Sequence, residues 1–101
     1  MALGDYDGAK KDFGEAIRLN PQFANAYYNR GNAKISIDDF IGAKKDYDEA
    51  IRLDPKFAEA YRNRGLTKGI LGDKAGELTD LSTAGKLGDA MAYEIIKKNT
   101  K

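Results

Sequence analysis

Asp, Glu, Lys, Tyr and Ser are the side chains from which any catalysis in this sequence would have to be built, because it contains neither Cys nor His. The thiol nucleophile, the usual general base and the commonest transition-metal ligands are therefore missing. The remaining carboxylates are poorly spaced for such work. Neighbours such as Asp48 and Glu49 diverge by about a hundred degrees around a helix, which suits neither metal capture nor paired acid–base chemistry. Gly69-Ile70-Leu71-Gly72-Asp73 lacks the Gly-Lys-Ser/Thr sequel of a phosphate cradle and reads as a turn between helices. Lys10-Lys11 and Lys44-Lys45 are each followed at once by an aspartate, Asp12 or Asp46. They read as solvated helix faces with local charge compensation. The expectation is a chain that is not an enzyme and uses no metal or cofactor.

The bulk properties narrow the partners. Seventeen basic and sixteen acidic residues nearly cancel, which leaves no electrostatic footprint for nucleic acid or an anionic membrane. No apolar run is long enough to span a bilayer, and Gly4, Asp5 and Asp7 interrupt the N-terminus against a secretory leader. The absence of cysteine adds no argument for secretion, so a cytoplasmic setting is expected. With 101 residues, 42% hydrophobic and 33% charged, the chain reads as one small, well-solvated domain over 1–101.

The elements that position these side chains show in the repetition of the sequence. DYDGAKKDFGEAIRLNPQFANAYYNRGNAK, beginning at Asp5, realigns with DFIGAKKDYDEAIRLDPKFAEAYRNRGLTK, beginning at Asp39. The offset is 34 residues without a gap, and about two thirds of the positions are identical. Pro21 recurs as Pro55, Phe23 as Phe57, Tyr27 as Tyr61 and Gly31 as Gly65. A period of this length, made of two amphipathic segments, means stacked helical hairpins. Tyr6, Ala9, Phe13, Ala16 and Ile17 share one helical face, as do Phe40, Ala43, Tyr47, Ala50 and Ile51. Asp5, Asp39 and Asp73 are candidate N-caps, and Pro21 and Pro55 suit the start of the helix that follows each. The pattern predicts about six antiparallel helices, near 5–19, 22–37, 39–53, 56–71, 73–87 and 89–98.

These residues resemble those of tetratricopeptide repeat (TPR) proteins. In the central repeat the family pattern reads Tyr27-x2-Arg30-Gly31-x2-Lys34, then Ala43-x3-Tyr47, Ala50 and Pro55. The Tyr-x-Asn-Arg-Gly wording is similar to that of prokaryotic members. Close helix approach is the physical reason for the pattern, since Gly31 has no side chain and Ala43 only a methyl. The likeness implies an all-α superhelical solenoid. Residues 1–23 would form a partial repeat with its second helix only, 24–57 a full repeat, 58–89 a divergent repeat, and 90–101 a capping helix and tail. Departures are Glu77 where a small residue belongs, Arg30 and Arg64 for the family leucine, and Lys34 and Lys68 for an aromatic. The basic stems are expected to cover apolar surface.

The resemblance further implies a protein–protein interaction module, with a concave groove that receives a peptide segment of a partner. Carried across position by position, its lining is Asn25, Tyr28, Asn29, Asn32, Ile35 and Ser36 from one hairpin. From the next come Glu59, Arg62, Asn63, Leu66 and Ile70, with Met91 and Ile95 at one end. Asn29 and Asn63 offer donors and an acceptor to main-chain amides, Arg62 a fork for a carboxylate, and Tyr28 a flat anchor. Solvated helix faces, or asparagines that bridge neighbouring helices, are the plain alternative. Of the five-residue carboxylate clamp of chaperone-binding TPR domains, only Asn32 and Asn63 match. Tyr28 holds the place of the first lysine, and Met91 and Ile95 stand where the last basic pair belongs.

The helix near 5–19 has no hairpin mate before it. It belongs either to a short or trimmed array or to a self-associating scaffold, in which Tyr6, Phe13 and Ile17 pair with a second copy as a homodimer.

Overall fold

Three of the four turns between the described helices are each built on one aspartate that serves both neighbours. The computed structural model describes residues 23–99. Among them lie five helices and no strand: α1 (Ala24–Ile35), α2 (Phe40–Leu53), α3 (Ala58–Ile70), α4 (Lys74–Lys86) and α5 (Ala90–Asn99). Helix α1 ends where the Asp38 N–H bonds to the Ile35 carbonyl at 3.0 Å and the Asp39 N–H to the Lys34 carbonyl at 2.9 Å. The Asp39 side chain then accepts the Gly42 N–H at 3.0 Å and so caps α2. Asp73 repeats the device: its N–H closes α3 on Lys68, and its carboxylate caps α4 at Gly76. Asp89 does the same between Ala84 of α4 and Ala92 of α5. Such a turn needs a left-handed residue just before the aspartate. Gly72 (φ 95°) and Gly88 (φ 104°) supply it without strain, whereas Asp38 (φ 62°) carries a Cβ there.

The chain divides into two compact units at Pro55. In the first, α1 packs on α2, and Ala43, Tyr47, Ala50 and Ile51 make the buried stripe expected from their spacing. At Gly31 a Cβ would stand 2.7 Å from Cε1 of Tyr47, so the tyrosine ring is a neighbour that requires glycine there. In the second unit, α3 packs on α4 and α4 on α5. Leu81, Ala84 and Ala92 form its core, covered by Tyr61, Leu66, Ile95 and Ile96. Here Gly65 meets backbone: its Cβ would lie 3.1 Å from the carbonyl oxygen of Glu77 and 2.9 Å from Cβ of Asp80. Glu77, the misfit of the sequence pattern, is accommodated because Gly69 replaces the Ile35 of the preceding repeat. A Cβ at Gly69 would run into the Glu77 carboxylate.

Two expectations need correction. Pro55 lies in the turn before Phe57, the N-cap of α3, and not in the helix itself. Asp46 is 3% exposed and does not belong to a solvated face. The helix expected over 5–19, with Asp5 and Pro21, lies outside the described residues. No described helix is long and apolar enough to cross a membrane.

Candidate functional site

The arginines and lysines that depart from the family pattern do more than cover apolar surface. Arg30 grips the Asp46 carboxylate with two parallel bonds, Nε to Oδ2 at 2.9 Å and Nη2 to Oδ1 at 2.7 Å. Lys34 adds a third contact at 3.1 Å. The next repeat duplicates the arrangement. Arg64 bonds Asp80 at 2.8 and 2.9 Å, and Lys68 approaches it at 3.0 Å. Each arginine also lies over a tyrosine ring, Arg30 above Tyr27 at 5.6 Å and Arg64 above Tyr61 at 5.4 Å. A buried carboxylate is tolerated only when its charge and lone pairs are met, and the bidentate arginine does both. Each cluster ties the first helix of its hairpin to the second. The sequence signal was the joint recurrence of Arg, Lys and Asp at the repeat offset.

On α1, Asn25, Asn29 and Ser36 are exposed, while Tyr28, Asn32 and Ile35 are half-buried. Tyr28 stands 5.9 Å from the Tyr47 ring at a 46° tilt. Asn32 is engaged from within, because its Oδ1 accepts the Tyr47 hydroxyl at 2.5 Å. Ser36 Oγ reaches back to the Asn32 carbonyl at 3.4 Å.

On α3, Glu59 and Ile70 are exposed, whereas Leu66 leans on the Leu81 core, as does Ile95 of α5. Arg62 meets a carboxylate, but one of its own chain: Nη1 donates to Asp89 Oδ2 at 2.6 Å. Its Nε points at Asn63 Oδ1, at 3.3 Å, and its Nη1 also touches Met91 Sδ at 3.4 Å. The Asp89 side chain is 4% exposed and that of Arg62 15%. Since Asp89 also caps α5, this pair fastens the last helix to α3. Beside it opens a depression of about 270 Å³ walled by Ala58, Glu59, Arg62, Leu87, Asp89 and Met91. Glu59, Arg62 and Met91, which the family resemblance assigns to the groove, line this depression together. Leu87 and Asp89 were missed, because Asp89 stands where the preceding repeat has Pro55 and no recurrence marks it. Tyr6, Phe13 and Ile17 lie outside the described residues.

A family profile described as TPR repeat matches residues 1–35, and one described as tetratricopeptide repeat matches 24–57. The chain belongs to the tetratricopeptide repeat family. Among solved structures, the Arabidopsis OM64 TPR domain superposes with a TM-score of 0.88 at 28% identity, over 94% of this chain and 80% of that one. The complex of the TPR2B domain of yeast Sti1 with pHsp70 gives 0.84 at 28% identity, over 93% and 79%. MamA gives 0.80 at 24% identity, over 85% of this chain, and shares the fold. This TPR chain spans 50% of the length of the MamA chain. No curated protein sequence matched.

Proposed function

We propose that this chain is a non-enzymatic protein-interaction module that holds a peptide segment of a partner. Two faces take part, each within one unit. On the first unit it is the exposed edge of α1, with Asn25, Asn29 and Ser36 outermost and Tyr28 and Asn32 behind them. On the second it is the α3–α5 face, with Glu59, Arg62, Asn63, Leu66 and Ile70. The observation that carries the reading is the depression beside Arg62, where fixed polar groups meet the exposed side chains of Leu87 and Met91. Concave sites that mix apolar walls with a few placed polar groups are where ligands bind. The similar TPR2B domain, solved as a complex with pHsp70, supports a protein partner.

The test uses exposed residues only, because Arg62→Ala would also release α5. Asn25→Ala with Asn29→Ala is expected to weaken binding of a partner peptide at least tenfold with an unchanged circular dichroism spectrum. Unchanged affinity would remove the α1 face from the site. The second reading, a self-associating scaffold built on Tyr6, Phe13 and Ile17, predicts a mass that rises with concentration in light scattering. A constant monomer mass dismisses it.

A further inference from the structure

The charges around the α3–α5 depression do not balance. Its walls hold one guanidinium, Arg62, and two carboxylates, Asp89 and Glu59. Arg62 and Asp89 neutralise each other at 2.6 Å, and Asp89 is further committed through Oδ1 to the Ala92 N–H at 2.9 Å. Glu59 is exposed and has no hydrogen bond or ion pair among the described residues. The charge left over is therefore negative. Around it the surface is apolar: Leu87 is 38% exposed, Met91 62%, and Ala58 lines the floor.

From this we infer that the depression selects a basic side chain, lysine or arginine, flanked by apolar residues in the partner segment. The inference rests on the peptide-binding reading above and adds the chemical class of the ligand. An aliphatic stem would lie along Leu87 and Met91 while the cationic head reaches Glu59. Met91, with three rotatable bonds, adapts to different stems. An acidic segment meets the opposite situation. To use the Arg62 Nη1 donor it must compete with Asp89, whose buried carboxylate already neutralises that guanidinium, and it must approach Glu59 with like charge. Complementarity of charge thus favours the basic partner and penalises the acidic one.

The experiment selects from a randomised 12-residue peptide display library on the whole chain, then measures the enriched synthetic peptides by fluorescence polarisation. Enrichment of Lys or Arg between apolar residues is expected. Glu59→Gln should weaken those peptides about fivefold and flatten their salt dependence, since a half-exposed ion pair is worth little more than that. Glu59→Lys should move the selection toward acidic peptides, with the helical spectrum retained in both variants. Enriched acidic peptides, or basic ones indifferent to Glu59→Gln, would overturn the inference. Enrichment of apolar peptides with no charge preference would overturn it while leaving the peptide-binding reading intact. A selection that enriches nothing would bring down both.

Discussion

Replacing Gly31 by alanine separates two opposing effects. Alanine gains about 1 kcal/mol over glycine inside a helix. Against this, the new Cβ would stand 2.7 Å from Cε1 and 3.0 Å from Cδ1 of Tyr47. The tyrosine is 1% exposed, with its hydroxyl bonded to Asn32, so its ring has little room to retreat. Overpacking of this kind costs about 2–3 kcal/mol, for a net loss of about 1–2 kcal/mol. In urea or thermal denaturation that is a fall in Tm of about 4–8 °C per kcal/mol for a chain of this size. The second repeat supplies the control, since Leu81 occupies the position of Tyr47. In a Tyr47→Leu background Gly31→Ala should become neutral or stabilising, a coupling of about 2 kcal/mol in a double-mutant cycle. Gly65→Ala should resist any such rescue, because it meets the Glu77 carbonyl and the Asp80 Cβ. A neutral Gly31→Ala in the native background, or a cycle without coupling, would refute the assignment of Tyr47 as the neighbour that demands glycine.

Asp89→Ala removes the cap of α5 and the partner of Arg62 together, with an expected loss of about 2–3 kcal/mol. Hydrogen exchange should show protection lost over 90–99 while α1 and α2 keep theirs. Asp38→Gly relieves a left-handed residue bearing a Cβ and should stabilise the chain by about 0.5–1 kcal/mol in urea titration. Arg52, which donates to Glu49 at 2.8 Å, lowers the Glu49 pKa below its ordinary 4.5. The folded state then binds this proton less readily than the unfolded state. The pair's contribution is present above 4.5 and is lost as pH falls through the depressed value. Arg52 is exposed and Glu49 half-exposed at the surface, so salt should weaken the effect. Carboxyl NMR should find Glu49 titrating below its ordinary 4.5, and moving back up in Arg52→Gln.

The hairpin architecture was legible because its determinants are local and repeated. The 34-residue offset, the apolar stripe of α2 and the caps at Asp39 and Asp73 all lie in short windows of sequence. The buried acids were hidden by the same local view. Lys44-Lys45-Asp46 looks self-compensated, yet helix geometry turns Asp46 inward to Arg30 and Lys34 of the facing helix, a partnership that no single window contains. Gly69 and Glu77 each look like an error alone and are compensating changes only as a pair. Of the candidate site, Glu59, Arg62 and Met91 were found by carrying family positions across. Asp89 had no repeated counterpart to announce it, and the true partner of the Arg62 fork was invisible until α5 was seen docked on α4 with its capping aspartate at the α3 face.

The most direct measurement of the peptide-binding account is a two-dimensional amide NMR titration of the whole chain with the tightest peptide from the selection. The account predicts saturable shifts at Asn25, Asn29, Glu59 and Met91, with Ile41 of α2 and Leu78 of α4 unmoved although both are exposed. Shifts confined to Ile41, Leu78 and their neighbours, with the α1 and α3–α5 faces silent, would contradict it.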